Sequence, residues 1–312
     1  SKILRQKYDL SILDSYLYSS IFLILPFFRS SAFWGLTENL GWLFLILSIK
    51  FFLEIDKKKR NVFLVCLFSS LALYTRPYLI FFPIFFIISS LFERKYETFK
   101  ISLTYYFLFS IPGLFLLYLW GGSVYLGIGE QKVNFILEYH HPKFILKNLI
   151  IFTSIFFLYF APYFVSKFIK EKNLPNIKKV RICIIGLLFL FLLNYLNIFE
   201  YLNSYTLGGG AFLKISQIIF KNNYLFIFVA FLGIISLNQF AKISKKNLIL
   251  ILAITFIYCT ARYMYQEYFE PLLLIVLLSL LDLGNKSSDL FKENKTIFIF
   301  ISYFFFYFIS SY

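Results

Sequence analysis

The sequence predicts an all-α membrane protein, a polytopic helical bundle of about eleven transmembrane segments, and three observations carry that expectation. The 312 residues are 60% hydrophobic and only 15% charged, with a mean hydropathy of +0.75. A water-soluble chain carries about 25% charged residues. The apolar residues are gathered into eleven stretches: 11–28, 33–53, 61–75, 78–92, 101–120, 148–168, 182–200, 223–241, 248–260, 270–283 and 296–312. Finally, when alternate connections are assigned to opposite sides, 23 of the 31 Lys and Arg residues fall on the side that holds the N-terminus. Positive residues stay cytoplasmic during insertion, so the N-terminus is expected in the cytoplasm and the protein in the cell's inner (cytoplasmic) membrane as a multi-pass protein.

Along the chain, SKILRQKYDL reads as a cytoplasmic connection before the first apolar stretch. Met264 is the only methionine, so Ser1 is not a start and further sequence is expected upstream. Several stretches approach the roughly 20 residues that cross about 30 Å of hydrocarbon. Four are nearer 15 (61–75, 78–92, 248–260 and 270–283) and pair across Arg76-Pro77 and across 261–269, as two short spans or one broken helix. The cytoplasmic connections EIDKKKR, ERKYETFK and IKEKNLPNIKKVR are short and basic. The longer connections, 121–147 and 201–222, are expected outside; FILEYHHPKFILKNLI has the pattern of interfacial helices, and Gly208-Gly209-Gly210 admits backbone angles closed to other residues. No repeat or long linker divides the chain, which reads as one transmembrane domain over 1–312.

The net charge of +15 sits mostly in those short loops. There, insertion and anionic lipid headgroups account for it without nucleic acid. Cys66, Cys183 and Cys259 lie inside apolar segments without CxxC spacing and read as packing residues, with no disulfide or metal site. The 24 Tyr and 44 Phe read chiefly as packing or lipid-facing surface.

An ionisable group in a membrane helix costs about 2.5–3.5 kcal/mol and is a functional candidate by default. Asp14, Asp282 and Glu200 lie near segment ends, where a structural role suffices. Glu38, in WGLTEN, lies inside the outer end of its segment, with Asn39 beside it and Trp42 one turn on. Arg76 sits at an outer corner, where its planar fork suits a phosphate or carboxylate; the structural alternative is pairing with Glu38 or a helix C-terminus. ARYMYQEYFEP crowds Arg262, Tyr263, Gln266, Glu267 and Glu270 into another outer corner. On a helix Tyr263, Glu267 and Glu270 would share a face, while Pro271 opens the next segment. His140 and His141 are adjacent and point different ways, against a metal pair.

With these residues in view, the chain resembles bacterial membrane glycosyltransferases of the GT-C superfamily, of the dolichyl-phosphate-mannose or undecaprenyl-phosphate-sugar type. The resemblance runs through the basic SKILRQKYD, the apolar run to Pro26, FFRSSAFWGLTEN with Glu38, and LYTRPYLIFFP with Arg76 and Pro77. A second, looser match is the corner with Arg262-Tyr263 and Tyr268-Phe269-Glu270-Pro271, whose spacing departs from the usual pattern. The resemblance implies transfer of a sugar from a polyprenyl-phosphate donor to a lipid or cell-envelope glycan at the outer membrane face. It implies that the main acidic base lies upstream of Ser1. Glu38, with Glu267 and Glu270, would be supporting acids; Arg76 and Arg262 would hold the donor phosphate. Asn39, Tyr263, Gln266, His140 and His141 would contact substrate. No cofactor is expected with certainty, and metal assistance stays open. The competing classes are a lipid-linked glycan transporter or flippase, which predicts repeats and mid-bilayer polar groups, and an O-antigen-type polymerase, which predicts an arginine-rich outer loop.

Overall fold

Proline sets the first breaks in the helices. In the computed structural model, which describes residues 1–33, 37–119, 124–125, 132–133, 145–171, 177–195, 209–261, 264–284 and 289–310, helix α2 (Ile12–Ile24) stops at Leu25, in extended backbone before Pro26. Helix α3 (Pro26–Phe33) starts on that proline. Pro77 acts the same way: helix α5 (Arg60–Thr75) ends at Arg76, with φ −146° and ψ 106°, before a 3₁₀ turn at Pro77–Ile80. A residue preceding proline is driven out of the α region, which leaves the Arg76 side chain at a corner.

The remaining helices are α1 (Lys2–Tyr8), α4 (Glu38–Leu53), α6 (Phe81–Phe92), α7 (Tyr96–Leu119), α8 (Ile145–Glu171), α9 (Ile177–Tyr195), α10 (Gly210–Phe220), α11 (Tyr224–Ile243), α12 (Lys245–Cys259), α13 (Glu270–Ile275) and α14 (Asn294–Ser310). Every predicted apolar stretch contains a helix, and α13 runs on as a π-helical turn, Val276–Leu280. A two-residue antiparallel ladder pairs Val124 with Val133 and Tyr125 with Lys132. The fold is thus all-α but for that ladder, among the described residues. Three helical segments, Tyr96–Leu116, Ile145–Lys170 and Tyr224–Ile243, are long and apolar enough to cross a membrane. Other apolar helices, such as Ile12–Ile24 and Asn294–Ser310, are shorter. These lengths suit a membrane protein.

The chain packs as two compact units. The first comprises 1–30, 146–244 and 263–312. Its centre is α8, whose Phe156 and Phe160 stack at 3.9 Å and meet Phe240 of α11, while α14 lies along α2. Gly233 of α11 faces the Thr153 backbone of α8 so closely that a Cβ would overlap the carbonyl oxygen. Small residues permit this approach between membrane helices. At one end of the unit, Lys292 reaches Asp9 and Lys170 reaches Glu293, which brings three basic connections together.

Also at that end, Tyr8 donates to the Leu277 carbonyl and the Lys7 ammonium to that of Leu281, at 2.6 Å. A cation at a helix C-terminus is favourable. Burial nevertheless pushes the Lys7 amine down to about 7, against the pull of nearby Asp282. Below that pH Lys7 is charged in both folded and unfolded chains. Between it and the ordinary lysine value, the unfolded chain holds a proton that the folded chain lacks, so stability rises with pH. Melting in detergent is expected to shift upward from about pH 7.5 to about pH 9.5, both inside that window, and Lys7→Met to flatten the rise. An equal rise in Lys7→Met would refute the assignment.

The second unit comprises 31–145 and 245–262. Helices α4 and α5 form a hairpin, α5 packs on α7, and α6 on α12. Phe52 sits edge-on to Phe82, Phe85 and Phe86. Glu93 takes Lys246 and Lys95, Lys95 also reaches Asp56, and Lys59 reaches Glu97, so the connections after α4, α6 and α11 meet at one end. Helix α7 is largely exposed along its apolar length. Pro112 interrupts its ladder, and the Tyr74 hydroxyl of α5 enters the gap: it accepts from the Gly113 amide at 3.1 Å and donates to the Phe109 carbonyl. A side chain set into the i→i−4 ladder in this way accommodates a kink.

Candidate functional site

In the second unit, Glu38 is the first residue of α4 and Arg76 closes α5, so the hairpin brings together two residues far apart in sequence. They form an ion pair between Glu38 Oε1 and Arg76 Nη2, with side chains 23% and 27% exposed. The pair lies at the opposite end of the hairpin from the basic connection 54–60, since sixteen residues of α4 intervene, about 24 Å of helix. Close packing holds it there: a Cβ on Gly41 would press on Thr75 Oγ1 at 2.7 Å and come to 3.6 Å of Arg76 Cγ. Trp42, 3% exposed, and Tyr78 form an aromatic wall with ring centres 6.0 Å apart. Asn39 is half-buried beside Glu38.

The pair is the structural alternative that the sequence left open for Arg76, and the backbone N–H of Arg76 also bonds the Ala72 carbonyl at the end of α5. An arginine whose charge is answered by an adjacent carboxylate is a poorer phosphate clamp than a free one. Glu38 Oε2 and Arg76 Nε are nevertheless buried without a hydrogen-bond partner. The fork is therefore engaged on one tine only.

The first unit holds a second polar centre. Glu270, fully buried, opens α13 with Pro271 in the helix's first turn. Its Oε1 accepts the backbone N–H of Phe27 at 2.6 Å and of Phe28 at 3.4 Å, the unpaired donors at the start of α3. Its Oε2 accepts from the hydroxyls of Tyr159 at 3.1 Å and Tyr307 at 2.9 Å. Gln266 closes the ring. Its Nε2 donates to both hydroxyls, at 3.3 and 2.8 Å, and its Oε1 accepts the Ala211 amide at the start of α10. Four donors converge on a group that accepts at both oxygens, as a carboxylate does. Gly209 and Gly210, with φ of 94° and 81°, admit the turn that presents this amide, and the Gly209 N–H bonds the Met264 carbonyl. This bears out the backbone freedom expected of the glycine run at those two positions.

Glu267 and Glu270 do not share a face. Residues 266–268 form a 3₁₀ turn and the helix starts only at Glu270, so Glu267 is exposed while Glu270 is buried. The expectation failed because Pro271 starts a helix there and so cuts the preceding corner off from it. Arg262, Tyr263, His140 and His141 lie outside the described residues. Tyr159 and Tyr307 were missed, having been read as ordinary aromatic packing. The available signal was a phenol well inside an apolar helix, whose hydroxyl needs a partner when buried. Among the described residues no cluster of three His, Cys, Asp or Glu stands close enough to hold a metal. Comparison with known proteins adds no further constraint: no family model, curated protein or solved structure matches the chain.

Proposed function

We propose that the protein is an integral membrane glycosyltransferase that moves a sugar from a polyprenyl-phosphate donor to a lipid or cell-envelope glycan acceptor. The observation that carries this reading is the meeting of Glu38 and Arg76, two of the residues that the resemblance to GT-C enzymes picks out. Their place, at the end of the hairpin remote from the basic connections, supports an outward-facing site in a chain of about eleven segments with a cytoplasmic N-terminus. The gathering of alternate basic connections at one end of each unit supports the same topology. Arg262 is retained as the candidate for the donor phosphate, since an ion pair occupies Arg76.

The test is transfer of a radiolabelled hexose from its polyprenyl phosphate by the full-length protein in proteoliposomes. Glu38→Ala and Arg76→Ala are each expected to lower the rate about a hundredfold, the range seen when one positioned charge is removed from a site. Transfer unchanged in both variants would overturn the assignment.

Glu270 favours a second reading. A buried carboxylate ringed by tyrosines among packed helices is the kind of polar centre that a transporter for lipid-linked glycans would use. Donor-independent movement of a lipid-linked glycan across the bilayer, lost in Glu270→Gln, would favour transport over transfer.

A further inference from the structure

We infer that the Glu38–Arg76 pair is a hydroxyl-recognition element, selecting the sugar ring of a substrate and not a lipid phosphate. The inference rests on the glycosyltransferase reading for its setting but on the geometry of the pair for its content. One oxygen of Glu38 and one terminal nitrogen of Arg76 bond each other. Glu38 Oε2 and Arg76 Nε are buried and have no hydrogen-bond partner. A buried polar atom left unpaired costs the hydration it has given up, and two on one ion pair mark a place for a further group.

The chemistry of that group follows from what remains. Arg76 Nε–H can only donate and Glu38 Oε2 can only accept. A hydroxyl does both at once: its oxygen takes the N–H while its proton goes to the carboxylate. A phosphate oxygen satisfies the nitrogen alone and brings a negative charge against Glu38. The neighbourhood suits a sugar as well. Trp42 stands one turn along α4 from Glu38, and Tyr78, two residues beyond Arg76, faces it at 6.0 Å. Trp42 is buried behind Tyr78, which keeps exposed surface and is the ring of the two that a sugar's apolar face could meet while the polar pair meets its hydroxyls.

The experiment uses the 312-residue chain in detergent with Trp34→Phe and Trp120→Phe, so that Trp42 is its one indole reporter. Methyl α-glucoside and inorganic phosphate serve as probes. The expected result is a saturable change in Trp42 emission with the glucoside, no displacement by phosphate, and affinity about tenfold weaker in Arg76→Lys, which keeps the charge but loses the Nε–H. Displacement by phosphate would overturn the inference. So would the absence of glucoside binding, which would leave water as the only hydroxyl at the pair. Should Arg76→Lys melt early, phosphate competition in the parent protein decides alone. Glucoside binding without hexose transfer would sink the transferase reading and leave this inference standing. Transfer without glucoside binding would do the reverse.

Discussion

Gly233→Ala is expected to destabilise the protein by about 3 kcal/mol, the upper range for overpacking a close-fitted interior. The added methyl would lie 2.6 Å from the Thr153 carbonyl carbon and 3.1 Å from its Cα. Neither atom belongs to a side chain that can turn away. Both are backbone of α8, which is mostly buried, so relief requires α8 and α11 to move apart and loosen the Phe156–Phe240 packing between them. Melting in detergent is expected to fall by roughly 6–12 °C, at about 2–4 °C per kcal/mol for a chain of this size. Gly186→Ala is the control. Its methyl would meet only the edge of the Phe231 ring, at 3.1 Å, and that ring can rotate. With helix propensity in its favour by about 0.5–1 kcal/mol, it should melt no lower than the parent. Equal melting of Gly233→Ala and the parent would show that the two helices do not approach this closely.

The second large effect is expected at Glu270. Replacement by alanine removes the acceptor for two backbone amides and two phenols at once, in a site without solvent to substitute. A loss of about 4 kcal/mol is expected, the sum of partial penalties of about 1–3 kcal/mol for each stranded donor after relaxation. Glu270→Gln keeps one carbonyl oxygen and should lose roughly half as much. Tyr159→Phe and Tyr307→Phe should each cost about 1 kcal/mol. The Tyr159→Phe effect should shrink in the Glu270→Ala background, because the two groups share one network. Strict additivity across that cycle would mean that the carboxylate and the phenols act separately.

What was legible in the sequence was whatever proline and hydropathy write locally. The stop at Arg76 follows from the proline after it, at the corner the sequence marks, whereas the stop at Leu25 falls inside a stretch, 11–28, read as continuous; each apolar stretch overlaps a helix, and three of those helices are long enough to cross a membrane. The meeting of Glu38 and Arg76 was legible as an alternative, since consecutive helices return to the same end. The Glu270 ring was not. Its members come from five separate parts of the chain, with Tyr159 removed from Glu270 by 111 positions. Nothing in periodicity distinguishes Tyr159 from the aromatic residues around it. The shared face expected for Glu267 and Glu270 failed for the complementary reason: it assumed helix through a corner where the chain makes a 3₁₀ turn.

The Tyr74 phenol gives α7 a dependence that its own composition conceals. A lone apolar rod with a proline near its far third would ordinarily bend as a free joint, its two ends wandering independently in the acyl phase. Here a neighbour's hydroxyl, two positions before Arg76, is set into the adjoining rung between the Gly113 amide and the Phe109 carbonyl. The bend of α7 and the last turn of α5 thereby share one hydrogen-bonded side chain, so that Tyr74→Phe would remove a support from both.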